Sequence, residues 1–185
     1  MNKVIATPVV PTTRANELQN GWNRHIKTQI IPESPEFVPT YETKGAVCCD
    51  LKAYLPDGPV FIGQMETVKI YTGFRIAVPA GYEAQIRPRS GFGVKSIIIP
   101  NSPGTIDFDF RGKMCVLLTN LKLEAVEIKH LDRIAQMALK PVWYFNFVTV
   151  DTLDITERNE GGFGSTGKWG KYEKSLAKKK RRSRI

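Results

Sequence analysis

Histidine and cysteine are scarce in this chain, and the scarcity narrows its chemistry before any motif is considered. Only two histidines, His25 and His130, stand in 185 residues, neither with a ligand-type neighbour in sequence. A histidine-based triad or a histidine-rich metal site is therefore not expected, and any acid–base chemistry falls to carboxylates. The three cysteines are an adjacent pair, Cys48 and Cys49, and the distant Cys115. They form neither a disulfide framework nor a CxxC zinc pattern, and read as buried, reduced thiols in strands. Long hydrophobic runs are also lacking. No apolar segment approaches the roughly 20 residues that cross a bilayer. Residues 1–10 are broken by Thr7 and Pro8 and carry no cleavage pattern. No membrane association is expected, and the expected location is cytoplasmic, or nuclear in a eukaryote. Helical periodicity is missing too. No segment offers three amphipathic turns, and 133–139 is ambiguous over one or two.

What remains is β-type sequence. Hydrophobic residues make up 42% of the chain, enough for one well-buried domain with additional segments. Short apolar runs recur at 60–62, 66–78, 83–87, 95–99, 114–120, 126–128 and 134–150. Turn signals separate them at Asp57-Gly58, Pro79-Ala-Gly81, Ser90-Gly91, Pro103-Gly104 and Leu131-Asp132. This pattern predicts an all-β sandwich or barrel over 41–150. Residues 1–40, paced by Pro32, Pro35 and Pro39, read as an N-terminal extension forming an edge strand or arm. Residues 151–167 turn polar and then glycine-rich. They read either as a disordered linker or as a mobile arm that orders over a ligand. The net charge of +9 is localised. Residues 168–185 hold nine Lys or Arg and one acid, a net +8 that leaves +1 for residues 1–167. This basic tail reads as disordered. It is either a solvated segment, a contact for DNA, RNA or another polyanion, or a localisation signal.

The most informative segment is Gly104-Thr-Ile-Asp-Phe-Asp-Phe-Arg-Gly112. It reads as a tight hairpin with an apolar/carboxylate alternation. Asp107 and Asp109 then share one strand face, and Ile106, Phe108 and Phe110 the other. Two like charges on one face repel unless one binds a cation, holds a proton or turns to solvent. Asn101-Ser-Pro before the segment and Arg111 within it add an amide and a guanidinium.

Four further segments complement it. Cys49-Asp50-Leu-Lys52 offers an early-strand carboxylate, and Arg87-Pro-Arg89-Ser90-Gly91 a turn suited to a phosphate. Arg133-Ile-Ala-Gln136 places an amide at the start of an apolar strand. Arg158-Asn-Glu-Gly-Gly-Phe-Gly-Ser-Thr-Gly167 ends the series with glycines, hydroxyls and one aromatic ring. Each segment has an ordinary structural reading alone. Together they supply anion donors, carboxylates, a base-reading amide and stacking rings, an inventory that fits a nucleoside triphosphate.

In type and order these five segments resemble the motifs of the trimeric dUTPase family across roughly residues 45–167, with G-x-I-D-x-D-[FY]-x-G at the centre. The resemblance implies a jelly-roll-like β-barrel with a flexible C-terminal arm, and hydrolysis of dUTP to dUMP and pyrophosphate. It implies Asp107 as the general base for in-line water attack on the α-phosphorus. It assigns uracil reading to Asn101 with backbone groups of the hairpin at Gly104 and Ile106. It assigns exclusion of a 2′-hydroxyl to the ring of Phe110. Arg89, Ser90, Gly91 and Gln136 match phosphate-contacting positions. Arg158, Phe163, Gly164, Ser165 and Thr166 match the arm, with Phe163 over uracil and Arg158 at the γ-phosphate. Mg²⁺ is implied as the cofactor, held mainly by the substrate phosphates, with Asp50 near its water shell. A homotrimer with sites shared among three chains is implied as well.

The chain departs from the family pattern at three places. Val47-Cys48-Cys49 precedes Asp50 where a glycine is usual, Asn159 follows Arg158 where Arg-Gly is usual, and Ser96 leads into 97–99 without the glycine often found there. Asn159 is expected to take the left-handed conformation that glycine would adopt. Two alternatives stay open. One is the related dCTP deaminase branch, which typically reads R-S-S where this chain has Arg89-Ser90-Gly91. The other is a binding protein that uses the scaffold and basic tail to engage nucleic acid or a regulatory protein.

Overall fold

The structure, a computed structural model, describes residues 25–163 and Ser165. Gly164, Thr166 and the basic tail at 168–185 lie outside the described residues, as does the first part of the N-terminal extension. The chain falls into two units that divide between Tyr144 and Phe145.

The first unit is built from antiparallel strands: β1 (Gln29–Pro32), β2 (Cys49–Lys52), β3 (Val60–Ile62), β4 (Thr67–Tyr71), β5 (Phe74–Ala77), β6 (Tyr82–Arg87), β7 (Ile97–Ile98), β8 (Gly104–Ile106), β9 (Cys115–Asn120), β10 (Val126–Ile128) and β11 (Arg133–Pro141). A five-residue helix, α1 (Ser90–Val94), and a 3-10 turn at Pro35–Phe37 are its only described helical pieces. The strands form sheets ordered β2-β11-β6-β8, β4-β9-β7, β1-β5 and β10-β3. This is the all-β, jelly-roll-like architecture that the short, turn-punctuated apolar runs predicted. Neither helix is long or apolar enough to cross a membrane.

The core is closed by Leu51, Ile62, Ile70, Phe74, Met114, Leu118, Ile128 and Ile134, each at most 2% exposed. Burying each such side chain contributes about 1.5–3 kcal/mol. β11 carries buried residues at consecutive positions, Ile134 with Ala135 and Met137 with Ala138, so side chains on both of its faces are covered. That is why its sequence lacks clean alternation and was ambiguous with a helical turn.

Three expected strands are corrected. The run 66–78 is two strands, broken at Thr72-Gly73. There the Met114 carbonyl accepts from both the Thr72 amide (2.8 Å) and its hydroxyl (2.7 Å), and the chain passes from one sheet to another. The run 134–150 stops at Pro141, which lies opposite Tyr82, the first residue of β6. With its partner exhausted and no N–H on the proline, the ladder ends. The run 95–99 shrinks to β7. The Ser90-Gly91 signal opens α1 instead of a simple turn, and Ser96 then reverses the chain at φ 57°. A non-glycine residue there carries a strain of about 1–2 kcal/mol at the position where the family pattern often has glycine.

Gly73 is required for the corner. Its φ is +78°, and a Cβ on it would lie 2.3 Å from Cδ1 of the buried Phe37 ring. Gly73→Ala is expected to destabilise the fold by about 2–4 kcal/mol, summing backbone strain and overpacking, as read by urea unfolding. The cysteine expectation holds for one residue of three. Cys49 is buried, and burial pushes its thiol up to about 11, so it stays protonated, whereas Cys48 and Cys115 are half-exposed. His130 serves the fold: its Nδ1 accepts from the Leu55 amide at 3.0 Å, and its ring packs edge-on to Phe37.

Candidate functional site

One end of the large sheet gathers charge. Asp50 on β2 lies directly opposite Gln136 on β11, and Gln136 lies opposite Arg87 at the end of β6. Directly opposed residues share a sheet face, so the ladder delivers all three to one surface. Arg89, just past β6, turns back to place Nε 3.0 Å from Asp50 Oδ1 and donates from Nη1 to the Arg133 carbonyl at 3.1 Å. Arg133 Nη1 reaches Asp50 Oδ2 at 3.1 Å and Glu42 Oε2 at 3.1 Å. The Gln136 amide donates to the Pro88 carbonyl at 2.9 Å, tying β11 to the Arg89 loop. Asp50 is nearly buried, with a guanidinium on each oxygen. Ser90 and Gly91 follow at the start of α1, where helix N–H groups have no partner within the helix.

Three members of this cluster, Arg87, Arg133 and Glu42, were missed among the candidate residues. In a regular strand Arg133 and Gln136, three apart, face opposite sides. A bulge between Arg133 and Ala135 adds one residue and returns Arg133 to the Asp50 face. The Arg133-Ile-Ala-Gln136 segment carried both residues, but the bulge that unites them has no local sequence signal.

The Gly104-to-Gly112 segment differs from its expected form. β8 ends at Ile106, opposite Ala84, and the chain then turns, the Phe110 amide bonding the Asp107 carbonyl at 3.2 Å. The alternation of faces therefore stops before Asp107. Asp107 and Asp109 are exposed on a turn, which relieves their repulsion by solvation. Gly104 pairs with Ile86, and a Cβ on it would stand 3.2 Å from Nδ2 of Asn101, so the Asn101 amide packs over this glycine. Phe110 folds its ring over Gly112, where a Cβ would be 2.6 Å from the ring. Arg111 closes the turn, its Nη1 donating to the carbonyls of Phe108 (2.7 Å) and Phe110 (2.8 Å).

The charged cluster and the Asp107 turn stand at opposite ends of β6. Ile106 pairs with Ala84, and Arg89 lies five residues further along, about 17 Å at strand rise.

In the second unit, Arg158 Nε donates to the Gly161 carbonyl at 2.7 Å, and the Asn159 amide bonds Thr156 Oγ1 at 2.9 Å. Asn159 has φ 47°, the left-handed conformation expected of it, and the exposed Phe163 has φ 43°. The Ser165 amide bonds the Gly162 carbonyl at 2.9 Å.

No three His, Cys, Asp or Glu side chains converge as a metal cage among the described residues.

The fold is all-β and jelly-roll-like, with an arginine–carboxylate cluster at one end of its large sheet and an exposed carboxylate turn at the other. Comparison with known proteins narrows the class. A family model described as dUTPase matches residues 36–167. Deoxyuridine 5'-triphosphate nucleotidohydrolase of Roseobacter denitrificans is 50% identical over 131 residues, 70% of this chain and 86% of that protein. Its namesake in Fusobacterium nucleatum is 40% identical over 146 residues, 78% of this chain and 99% of that protein. Among solved structures, a Staphylococcus bacteriophage 80alpha dUTPase with dUpNHpp is similar at a TM-score of 0.68 and 23% identity, over 76% of this chain and 98% of that one. A dUTPase mutant from phage phi11 of S. aureus, reported with a structural Mg(II) ion, is similar at 0.62 and 18%, over 70% and 100%. The chain belongs to the dUTPase family.

Proposed function

We propose that this chain hydrolyses dUTP to dUMP and pyrophosphate, and that Asp107 orients the attacking water and takes its proton. The observation that carries the reading is the family match across 36–167, which includes every residue assigned a role. The geometry of the turn supports it. Asp107 is exposed, while the backbone that holds it is tied by Phe110 and Arg111. A carboxylate so presented can align water and accept a proton in a chain short of histidine.

Arg89, Ser90, Gly91 and Gln136 take the phosphates in this reading, with Arg158 and Thr166 adding donors from the arm. Asn101, with the backbone of Gly104 and Ile106, reads uracil, and Phe110 denies space to a 2′-hydroxyl. Phe163 covers the base, while Ser165 adds a donor and Gly164 belongs to the loop that holds the γ-phosphate with Arg158. Asp50 acts first by holding Arg89 and Arg133; each of its oxygens keeps a second lone pair for a water of the Mg²⁺ shell. Bound Mg²⁺ would be held by the substrate phosphates and would neutralise charge there. The separation of Asp107 from Arg89 along β6 favours a homotrimer in which these groups come from different chains. The exposure of Phe61, Val94 and Trp143, at 60–89%, agrees with apolar surface left for assembly.

The test is pyrophosphate release with Mg²⁺ from dUTP, dTTP, dCTP and UTP. Turnover of dUTP alone is expected. Ammonia release from dCTP would instead favour the deaminase branch. The basic tail is proposed to contact polyanions beside catalysis. Deleting 168–185 is expected to leave dUTP turnover within about twofold and to abolish binding to a DNA duplex. The full chain's log K is expected to fall steeply with log salt, near −0.9 per phosphate contacted. A slope near zero would sink that second role.

A further inference from the structure

Arg111 belongs to none of the roles assigned above, yet it is the residue that binds the Asp107 turn together. We infer that Arg111 is a positioning residue for catalysis, resting on the proposal that Asp107 is the base. Its Nη1 donates to two carbonyls, those of Phe108 and Phe110, at 2.7 and 2.8 Å. These two carbonyls flank Asp109, and the Phe110 amide crosses back to the Asp107 carbonyl. The two sets of bonds together clamp 107–110 from both sides.

The clamp matters because little else restrains the turn. β8 has ended at Ile106, and the side chains of Phe108 and Phe110 are 42% and 40% exposed. The guanidinium is spent on carbonyls and makes no ion pair with Asp107 or Asp109 among the described salt bridges. The Asp107 side chain is therefore left to solvent while its backbone is held. The same clamp fixes Phe110, whose carbonyl it grips and whose ring rests on Gly112. One side chain thus sets the orientation of both the base and the ring that is to exclude a 2′-hydroxyl.

The experiment compares wild type, Arg111→Met, which keeps the stem and removes the donors, and Arg111→Lys, all in the full chain. In Arg111→Met, kcat for dUTP is expected to fall about 10- to 100-fold with KM changed less than about threefold, because the base loses alignment while the phosphate contacts stay. The dUTP:UTP ratio of kcat/KM is expected to fall about tenfold, and Arg111→Lys to recover part of both losses. The unfolding midpoint should stay near that of wild type, since the turn is exposed. Amide exchange at Phe110 is expected to speed up in Arg111→Met whether or not the protein turns over dUTP. Unchanged exchange there overturns the clamp. Unchanged kcat and ratio with faster exchange overturn its catalytic role, and so does a loss that tracks a collapsed unfolding midpoint. A rise in KM alone would mark Arg111 as a ligand contact instead. If wild type is inactive on dUTP while exchange responds, the functional reading has failed and the clamp stands.

Discussion

Asp107→Asn is expected to lower kcat for dUTP by about 10²- to 10⁴-fold, the range lost when a positioned general base is removed. Asparagine has nearly the same shape but cannot take a proton from water. The substitution leaves the turn intact, because every bond that closes it uses the backbone: the Phe110 amide meets the Asp107 carbonyl, and Arg111 meets the carbonyls of Phe108 and Phe110. KM is therefore expected to stay within a few-fold, and binding of a non-hydrolysable dUTP analogue to persist. Steady-state pyrophosphate release and analogue titration separate the two quantities. A variant with near-normal kcat would remove Asp107 from the mechanism.

The second large effect concerns Arg89. Arg89→Ala is expected to reduce kcat/KM by about 10²- to 10³-fold, since the proposed function makes Arg89 a charged donor to a substrate phosphate. It also leaves the nearly buried Asp50 with Arg133 alone on its other oxygen. A stability loss of about 1–3 kcal/mol should accompany the kinetic one, read as a lower unfolding midpoint. Arg89→Lys is expected to recover little. A single ammonium does not reproduce the fork that reaches Asp50 through Nε and the Arg133 carbonyl through Nη1. Asp50→Asn supplies the control. If Asp50 acts by holding Arg89, then Asp50→Asn and Arg89→Ala should be strongly non-additive in kcat/KM. Full additivity would mean that Asp50 works elsewhere, for instance on the metal's water shell.

The candidate segments were legible in residue types: the Asp107 segment stood out because glycines and an arginine surround its acids, and the structure places those acids on an exposed turn. The left-handed conformation of Asn159 was legible too, since it follows from local sterics. Other features were not. The alternation through 104–110 looked like strand, but pairing with β6 ends at Ile106 and the remaining residues turn. The run 134–150 looked continuous, but β6 offers no partner beyond Tyr82. Strand length depends on the neighbour as much as on the strand.

The sequence by itself determined the β character of the chain, the order of its chemical segments and the kinds of group available, because these depend on composition and on contacts between near neighbours. The tertiary structure decided which groups meet. Asp50 and Arg133 lie 83 residues apart, and Arg89 and the Arg133 carbonyl 44. A single bulge in β11 brings Arg133 to the Asp50 face, and the register of β8 on β6 holds Asp107 away from Arg89. A register shift of one residue exchanges every side chain between faces, and register is chosen by the burial of the whole sheet rather than by any local stretch. For that reason the partners of Asp50 and the separation of Arg89 from the Asp107 turn became visible only when the strands were paired.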